Sequence, residues 1–194
     1  MSKSKREQLL RATWELVAER GVNGLRVEDV ATKVGVAYSL VYYHFDNRAG
    51  LLAATMDYND ALAPSTALRS APGSGFQRVE AALLADLADS KQVRANNVVW
   101  NELNAAAVFD EELRTRVSET TRRWIAEIAE TIRVGQLDGS IDPDVEADDE
   151  AELLTSLLSG LVTRHLVGSV TRPQARKILK RAVGSRLGIA AATH

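Results

Sequence analysis

Aromatic and basic side chains are concentrated between residues 25 and 52, near the start of the chain. The segment from Ala37 to Phe45, Ala-Tyr-Ser-Leu-Val-Tyr-Tyr-His-Phe, holds three tyrosines and a histidine, with Arg26 before it and Arg48 after it. Val41 and Phe45 are four residues apart and are expected to face a core. The tyrosines cannot all share that face, so the segment predicts a surface for a long anionic partner, and DNA is the leading candidate.

A poorly capped helix end supports the same interpretation. The pattern predicts a helix from Val27 to Val34 that ends at Gly35, with Leu25 packing against Val30 if Arg26 occupies the N-cap. An arginine side chain offers no acceptor to the free backbone N–H groups of the first turn. Those donors therefore stay available for an external anion such as a phosphate.

The elements that carry these residues are predicted to be helical, as is the rest of the chain. A first helix is expected from about Ser4 to Arg20, and a third from near Tyr38 to about His44. The four prolines are widely spaced, and the stretches between them are rich in Ala, Leu, Glu and Arg, which favour helices. The sequence predicts an all-α protein of about nine helices.

The N-terminal segment resembles the DNA-binding domain of the TetR (AcrR) family of transcriptional regulators, over roughly residues 5 to 55. The resemblance rests on the amphipathic first helix, on Val-Glu-Asp-Val-Ala-Thr-Lys-Val-Gly-Val, and on Val-Tyr-Tyr-His-Phe followed by Asn-Arg and Leu-Leu. It implies a three-helix helix-turn-helix domain over residues 1–47. It further implies a fourth, linking helix and a helical ligand-binding and dimerisation domain over residues 48–194. The implied function is that of a homodimeric repressor on a palindromic operator in double-stranded DNA, released by a small-molecule effector.

The resemblance also implies a role for each residue at the DNA. Major-groove contacts are expected from Ala37, Tyr38 and Ser39, and sugar and phosphate contacts from Tyr42, Tyr43 and His44. Arg48 would pair with a phosphate, and Arg26 and Val27 would flank the groove. For Tyr42, packing against the first helix is an equal alternative, and His44 could instead cap a helix or face solvent.

Composition limits the class of protein. The chain has 194 residues and a net charge of −2, although positions 1–50 hold 8 basic against 6 acidic residues. It has no cysteine and only three histidines, and neither a nucleophile elbow nor a phosphate loop, so an enzyme is disfavoured. No apolar run is long enough for a membrane helix, and we expect a soluble, cytoplasmic protein that does not bind membranes.

Two central helices, expected over about 93–109 and 110–134, carry polar and aromatic residues that could line an effector cavity. The candidates are Asn97, Trp100, Asn101, Asn104, Thr120, Trp124 and Ile128. The alternative is that the tryptophans fill a core and that Asn97 and Asn101 face solvent.

The last two helices, expected from Asp148 to about Val167 and from Pro173 to about Leu187, carry a broad apolar stripe. The resemblance implies that this pair forms a four-helix dimer interface. The candidate interface residues are Leu153, Leu154, Leu157, Leu158, Leu161, His165, Ile178, Leu179 and Ala182. A monomer with an ordinary core is the alternative.

The acidic turn over residues 139–149 fits no calcium-loop spacing, so neither a metal site nor a cofactor is predicted. A DNA-binding activator or architectural protein that needs no effector remains the alternative function.

Overall fold

The computed structural model describes residues 4–62, 68 and 72–188. In this part of the chain the regular secondary structure consists of nine α-helices, and the prediction of an all-α fold is confirmed. They are α1 (Lys5–Arg20), α2 (Val27–Val34), α3 (Tyr38–Phe45), α4 (Arg48–Leu62), α5 (Gly75–Ala85), α6 (Lys91–Ala107), α7 (Glu111–Leu137), α8 (Ala147–Leu166) and α9 (Arg172–Leu187).

Side-chain caps start six of these helices; Asn47, Ser90 and Asp110 accept first-turn backbone N–H groups of α4, α6 and α7. The Ser4 hydroxyl accepts a backbone N–H from the first turn of α1. Complete capping boxes begin α5, with Ser74 and Gln77, and α9, with Thr171 and Gln174. Each cap satisfies backbone donors that a helix end leaves unpaired and contributes about 1 kcal/mol.

The first compact unit is formed by the described residues of Met1–Ala63 together with Arg94–Thr120. Its core joins α1 to α4 with α6 and the beginning of α7. The fully buried side chains include Leu9, Val17, Val30, Val41, Leu51, Met56, Val99, Leu103 and Leu113. A stretch of α6 therefore belongs to the same core as the N-terminal helices, although it is distant from them in sequence.

The second compact unit is formed by the described residues of Pro64–Val93 together with Thr121–His194. Its core combines α5, the later part of α7, α8 and α9. The fully buried side chains include Val79, Leu83, Leu87, Ile128, Ile132, Leu154, Leu179 and Val183. Across it, the buried Glu150 of α8 forms an ion pair with Arg186 of α9.

Helix α5 crosses α7 at two glycines. A Cβ atom on Gly75 would lie 2.3 Å from the Cα of Gly135 and 3.0 Å from the carbonyl oxygen of Thr131. The Gly75 N–H also donates to the Asp138 carboxylate at 2.7 Å. The two backbones thus approach more closely than any side chain at position 75 would permit.

The apolar stripe Val79, Leu83, Leu84 and Leu87 predicts a helix from Phe76 to Ser90, but α5 ends at Ala85. The carbonyl oxygens of Leu84 and Leu87 accept hydrogen bonds from the guanidinium of Arg176, at 2.9 and 3.2 Å. This arginine comes from α9, so a long-range contact that no local pattern reveals satisfies the end of the helix. The composition of residues 64–75 predicts a loop; most of its first eight residues lie outside the described ones, and its last residue, Gly75, already begins α5.

Within the described ranges, no helix combines the length and the apolar character needed to cross a membrane. The same residues contain no group of three or more His, Cys, Asp or Glu side chains arranged to hold a metal ion.

Candidate nucleic-acid interface

Helix α2 begins without a side-chain cap, as predicted. Arg26 occupies the N-cap in an extended conformation, and its side chain makes no capping hydrogen bond. Leu25 and Val30 are both buried in the first core. The first turn also carries Glu28 and Asp29, and their negative charges make this helix end less favourable for a phosphate than the missing cap alone suggests.

Three ion pairs connect α2 to α1. Arg20 pairs with Asp29 at 3.1 Å, and Lys33 pairs with Glu15 at 3.1 Å and with Glu19 at 3.9 Å. Partly exposed ion pairs are worth at most about 1 kcal/mol each, so the apolar contacts hold the helices together. The ion pairs restrict how α2 is oriented on α1.

The turn between α2 and α3 has the compact geometry of a helix-turn-helix. Gly35 adopts a left-handed conformation, and the N–H of Val36 donates to the carbonyl oxygen of Ala31 at 3.0 Å. Ala37 then serves as the N-cap of α3 and is exposed. The first residues of α3 therefore leave the turn at the surface of the protein.

Helix α3 separates its buried and exposed side chains cleanly. Val41 and Phe45 are 1% and 4% exposed and anchor the helix, as predicted. Tyr38 and Tyr43 are 43% and 80% exposed. Ser39 is exposed as well, whereas Tyr42 and His44 are half-buried.

Tyr38 and Tyr42 form a coupled aromatic pair. Their ring centroids are 4.7 Å apart, and the Tyr38 hydroxyl donates to the Tyr42 hydroxyl at 2.7 Å. This hydrogen bond raises the pKa of Tyr38 to about 12, so its phenol stays protonated near neutral pH. Tyr42 also packs against the first core, so the packing role and the surface position coexist in one residue.

Val27 and Arg48 have structural contacts in addition to their predicted roles. The Val27 side chain is 5% exposed and lies in the first core. A terminal nitrogen of Arg48 donates to the carbonyl oxygen of Val22 at 2.5 Å. Arg48 therefore holds the turn between α1 and α2, which the sequence did not reveal.

Sequence reasoning missed Glu102 of α6 altogether. Its carboxylate accepts the Val22 N–H at 2.8 Å and lies against Gly21, whose φ is +72°. A Cβ at position 21 would be 2.7 Å from the Glu102 carboxylate oxygen. Because residues 22 and 102 are so far apart along the chain, no short motif could have identified this contact.

The residues predicted to bind an effector are divided between the two cores. Trp100 is half-buried and packs against the first core, whereas Trp124 packs against the second core and Ile128 is fully buried within it. Thr120 is 4% exposed.

Two of the asparagines predicted to bind the effector donate side-chain hydrogen bonds to the backbone of α6. The Asn101 side chain donates to the carbonyl oxygen of Asn97 at 2.8 Å, and the Asn104 side chain donates to that of Trp100 at 2.8 Å. All three asparagines are half-buried. They are neither fully enclosed core residues nor fully solvated ones.

Most of the broad leucine stripe of α8 packs into the second core of the chain itself. Among the residues predicted for a dimer interface, four are buried in the second core: Leu154, Leu158, Leu161 and Leu179. The others reach the surface. Leu153 and Ile178 are 42% and 45% exposed, and Leu157, His165 and Ala182 are half-buried.

His165 closes the connection between α8 and α9. Its Nδ1 lies 3.2 Å from the carbonyl oxygen of Val170, which gives this histidine a hydrogen-bonding role in the subunit.

An open surface groove of about 660 Å³ lies in the second unit, between the end of α5 and the start of α9. Its charged lining residues are Asp89, Arg172, Arg176, Lys177 and Lys180. None of the predicted effector residues lines it. The excess of positive charge makes it unsuitable for a cationic ligand.

Comparison with known sequences identifies both halves of the chain. Residues 9–55 match the profile described as bacterial regulatory proteins of the tetR family. Residues 76–188 match the profile described as the C-terminal region of BetI-type transcriptional repressors. The HTH-type transcriptional regulator BetI of Escherichia coli K12 is 26% identical over 137 residues, which cover 69% of this chain and 70% of that protein.

Solved structures agree with these matches. A TetR-family transcriptional regulator from Rhodococcus sp. is 35% identical, with a TM-score of 0.87 over 94% of this chain and 98% of that one. A transcriptional regulator from Saccharomonospora viridis, solved in complex with choline, is 25% identical with a TM-score of 0.84. The alignment covers 95% of this chain and 97% of that one.

The exposed α3 surface, the tight turn before it and the two profile matches lead to one conclusion. The chain belongs to the TetR family of bacterial regulatory proteins and is a DNA-binding transcriptional regulator.

Proposed function

We propose that this protein is a homodimeric repressor that binds a palindromic operator and is released by a small quaternary ammonium compound of the choline type. One observation carries the proposal: the turn at Gly35 delivers Tyr38 and Ser39 to the surface at the start of α3, within a segment that matches the family profile. In helix-turn-helix proteins, the N-terminal residues of the second helix contact base edges.

In this proposal, residues 1–47 bind DNA, and residues 48–194 bind the effector and form the dimer. Ala37, Tyr38 and Ser39 meet the bases. The sugar–phosphate contacts come from Tyr42, Tyr43, His44, Arg26 and Arg48. Because the Val27 side chain is buried, this residue can contribute only through its backbone.

The geometry of DNA explains why a dimer is proposed. Two recognition helices must reach successive major grooves, whose centres are about 34–36 Å apart. The surface part of the α8–α9 stripe supports an interface built on Leu153, Leu157, His165, Ile178 and Ala182, because these side chains reach the surface, although Leu157 and Ala182 also pack against the second core.

The effector class is supported by chemistry and by similarity. The S. viridis regulator was solved with choline, and the C-terminal match is to BetI-type repressors. Aromatic faces attract quaternary ammonium groups, and Trp100 is partly accessible. We propose that Trp100 contacts the effector, together with Asn97, Asn101 and Asn104 of the same helix, whereas Trp124 and Ile128 belong to the second core.

An operator selected from random duplexes tests the function directly. We expect the purified protein to enrich a palindrome and to bind it far more tightly than a scrambled duplex, as judged by fluorescence anisotropy. Choline should then lower operator affinity at least about tenfold, since an effector must favour the form that does not bind DNA. Ethanolamine, which lacks the methyl groups, is the matched control.

The outcomes separate the parts of the proposal. Equal binding of operator and scrambled duplex would contradict a sequence-specific regulator. Operator binding that no quaternary ammonium compound changes would remove this effector class and favour regulation without an effector.

Tyr38→Ala is expected to reduce the preference for operator over scrambled duplex about tenfold, because one base contact is worth about 1–3 kcal/mol. Tyr38→Phe is the matched control: it keeps the ring and removes the hydroxyl bonded to Tyr42. If Phe restores the preference, the ring contacts a base or a thymine methyl; if it does not, the hydroxyl contributes. An unchanged preference in Tyr38→Ala would remove this residue from base recognition.

A further inference from the structure

The backbone of Val22, in the turn between α1 and α2, is hydrogen-bonded at both its N–H and its carbonyl oxygen. Its N–H donates to Glu102 of α6 at 2.8 Å. Its carbonyl oxygen accepts from Arg48 of α4 at 2.5 Å and from the N–H of Leu25 at 3.2 Å. The Val22 side chain is 5% exposed and lies in the first core.

We propose that Glu102 is a positioning residue that couples the location of α6 to the geometry of the DNA-binding helices. The inference rests on the proposed function and concerns its regulation. Val22 lies in the short turn that joins α1 to α2, five residues before α2 begins, and α2 carries α3 through the Gly35 turn. A displacement of the Val22 peptide therefore changes where α2 begins and where α3 points.

The contact is specific in its geometry. Gly21 leaves room for the carboxylate, since a Cβ there would lie 2.7 Å from it. A hydrogen bond is lost beyond about 3.5 Å, so a shift of α6 that moves the Glu102 carboxylate about 0.7 Å directly away from Val22 breaks this 2.8 Å bond unless the turn follows. An ionised acceptor also makes a stronger bond than a neutral one.

Helix α6 is suited to carry a displacement to this turn. It is anchored in the first core by Val99, Leu103 and Ala107, which are four residues apart and occupy one face. Helical spacing places Glu102 on one side of that face and the proposed effector residues Asn97 and Asn101 on its other side and its back. An effector that contacts the asparagine side therefore acts on the same rigid element that holds Val22.

Three variants test the inference. Glu102→Ala removes the acceptor, and Glu102→Gln keeps an oxygen acceptor without the charge. Glu112→Ala, which removes an exposed carboxylate from the first turn of α7, is the matched control. Each variant is compared with the wild-type protein in hydrogen exchange of the Val22 amide, followed by NMR, and in operator affinity, followed by fluorescence anisotropy.

We expect Glu102→Ala to speed exchange of the Val22 amide at least tenfold and to weaken operator binding about tenfold, with binding to scrambled duplex unchanged. Glu102→Gln should restore both properties to within about threefold, and Glu112→Ala should match the wild type. The ratio of operator affinities without and with choline should fall in Glu102→Ala, because α6 no longer controls the turn.

The proposal is overturned if the Val22 amide stays protected in Glu102→Ala, or if that variant binds the operator as tightly as the wild type. Should Glu102→Ala fail to fold, Glu102→Asp, whose carboxylate is one methylene shorter, takes its place: faster exchange of the Val22 amide with weaker operator binding supports the proposal, and wild-type values of both overturn it. A wild-type protein that does not distinguish operator from scrambled duplex refutes the proposed function, while Val22 exchange still decides whether Glu102 holds the turn.

Arg48→Ala separates the two roles of that arginine. If Arg48 acts only on Val22, the variant weakens operator binding without changing its salt dependence. If Arg48 also contacts a phosphate, the slope of log affinity against log salt becomes shallower by about 0.9.

Discussion

The double variant Leu153→Asp with Ile178→Asp is expected to be monomeric and to lose operator affinity by at least about 100-fold. Linking two DNA-binding domains in one dimer raises the affinity for a two-half-site operator by about that factor. Both side chains are nearly half exposed in the subunit, so the substitution should leave the fold intact. In the proposed dimer, however, it places charges in a desolvated interface. Light scattering measures the mass, and anisotropy measures operator affinity.

Phe109→Asp is the matched control for this variant. Phe109 is 91% exposed and lies outside the proposed interface, so an aspartate there should leave both mass and affinity unchanged. A double variant that remains dimeric would locate the interface elsewhere. A monomeric variant that still binds the operator as tightly as the wild type would contradict the need for two linked recognition helices.

Gly75→Ala is expected to lower the free energy of unfolding by about 3 kcal/mol and the melting temperature by roughly 6–12 °C for a chain of this length. The added Cβ would lie 2.3 Å from the backbone of Gly135, and backbone cannot rotate away as a flexible side chain can. Helices α5 and α7 must therefore separate. Calorimetry or a circular-dichroism melt measures the change.

Gly184→Ala, in the same compact unit, is the control for Gly75→Ala and is expected to change stability in the opposite direction. A Cβ at position 184 of α9 meets nothing within 4 Å, so alanine should stabilise the protein by about 0.5–1 kcal/mol through its higher helix propensity. Equal melting temperatures for the Gly75→Ala and Gly184→Ala variants would contradict the close approach of α5 and α7.

The N-terminal module could be predicted from local sequence because its determinants are local. The apolar spacing in α1, the glycine at position 35 and the pair Val41 and Phe45 each act within one or two helical turns. The structure places all of them as predicted. The assignment to the TetR family was confirmed for the same reason, since the matching residues are nearly contiguous.

The division of α6 could not be predicted in the same way. Its residues from Arg94 onward belong to the first compact unit, although they lie far beyond residue 47. The apolar positions Val99, Leu103 and Ala107 show that α6 has a buried face. Hydrophobic periodicity does not indicate which of the two cores that buried face packs into.

The leucine stripe of α8 shows the same limit. Sequence spacing places Leu153, Leu154, Leu157 and Leu158 on one broad side of a helix, and the family resemblance assigns that whole side to a dimer interface. Packing within the second core, which includes α9, buries Leu154 and Leu158 in the subunit. Only the outer edge of the stripe reaches the surface.

The sequence by itself determined the helices, the recognition segment and the family, because hydrophobic period, caps and turn residues act over a few neighbouring positions. Only the tertiary structure decided which core receives each apolar face, and only it brought Glu102 and Arg48 to the Val22 peptide. The physical reason is that a backbone N–H donates to any suitably placed carboxylate, wherever that carboxylate lies in the sequence. Partners 80 residues apart are brought together by the packing of α6 against the N-terminal helices, which leaves no local pattern around either of them.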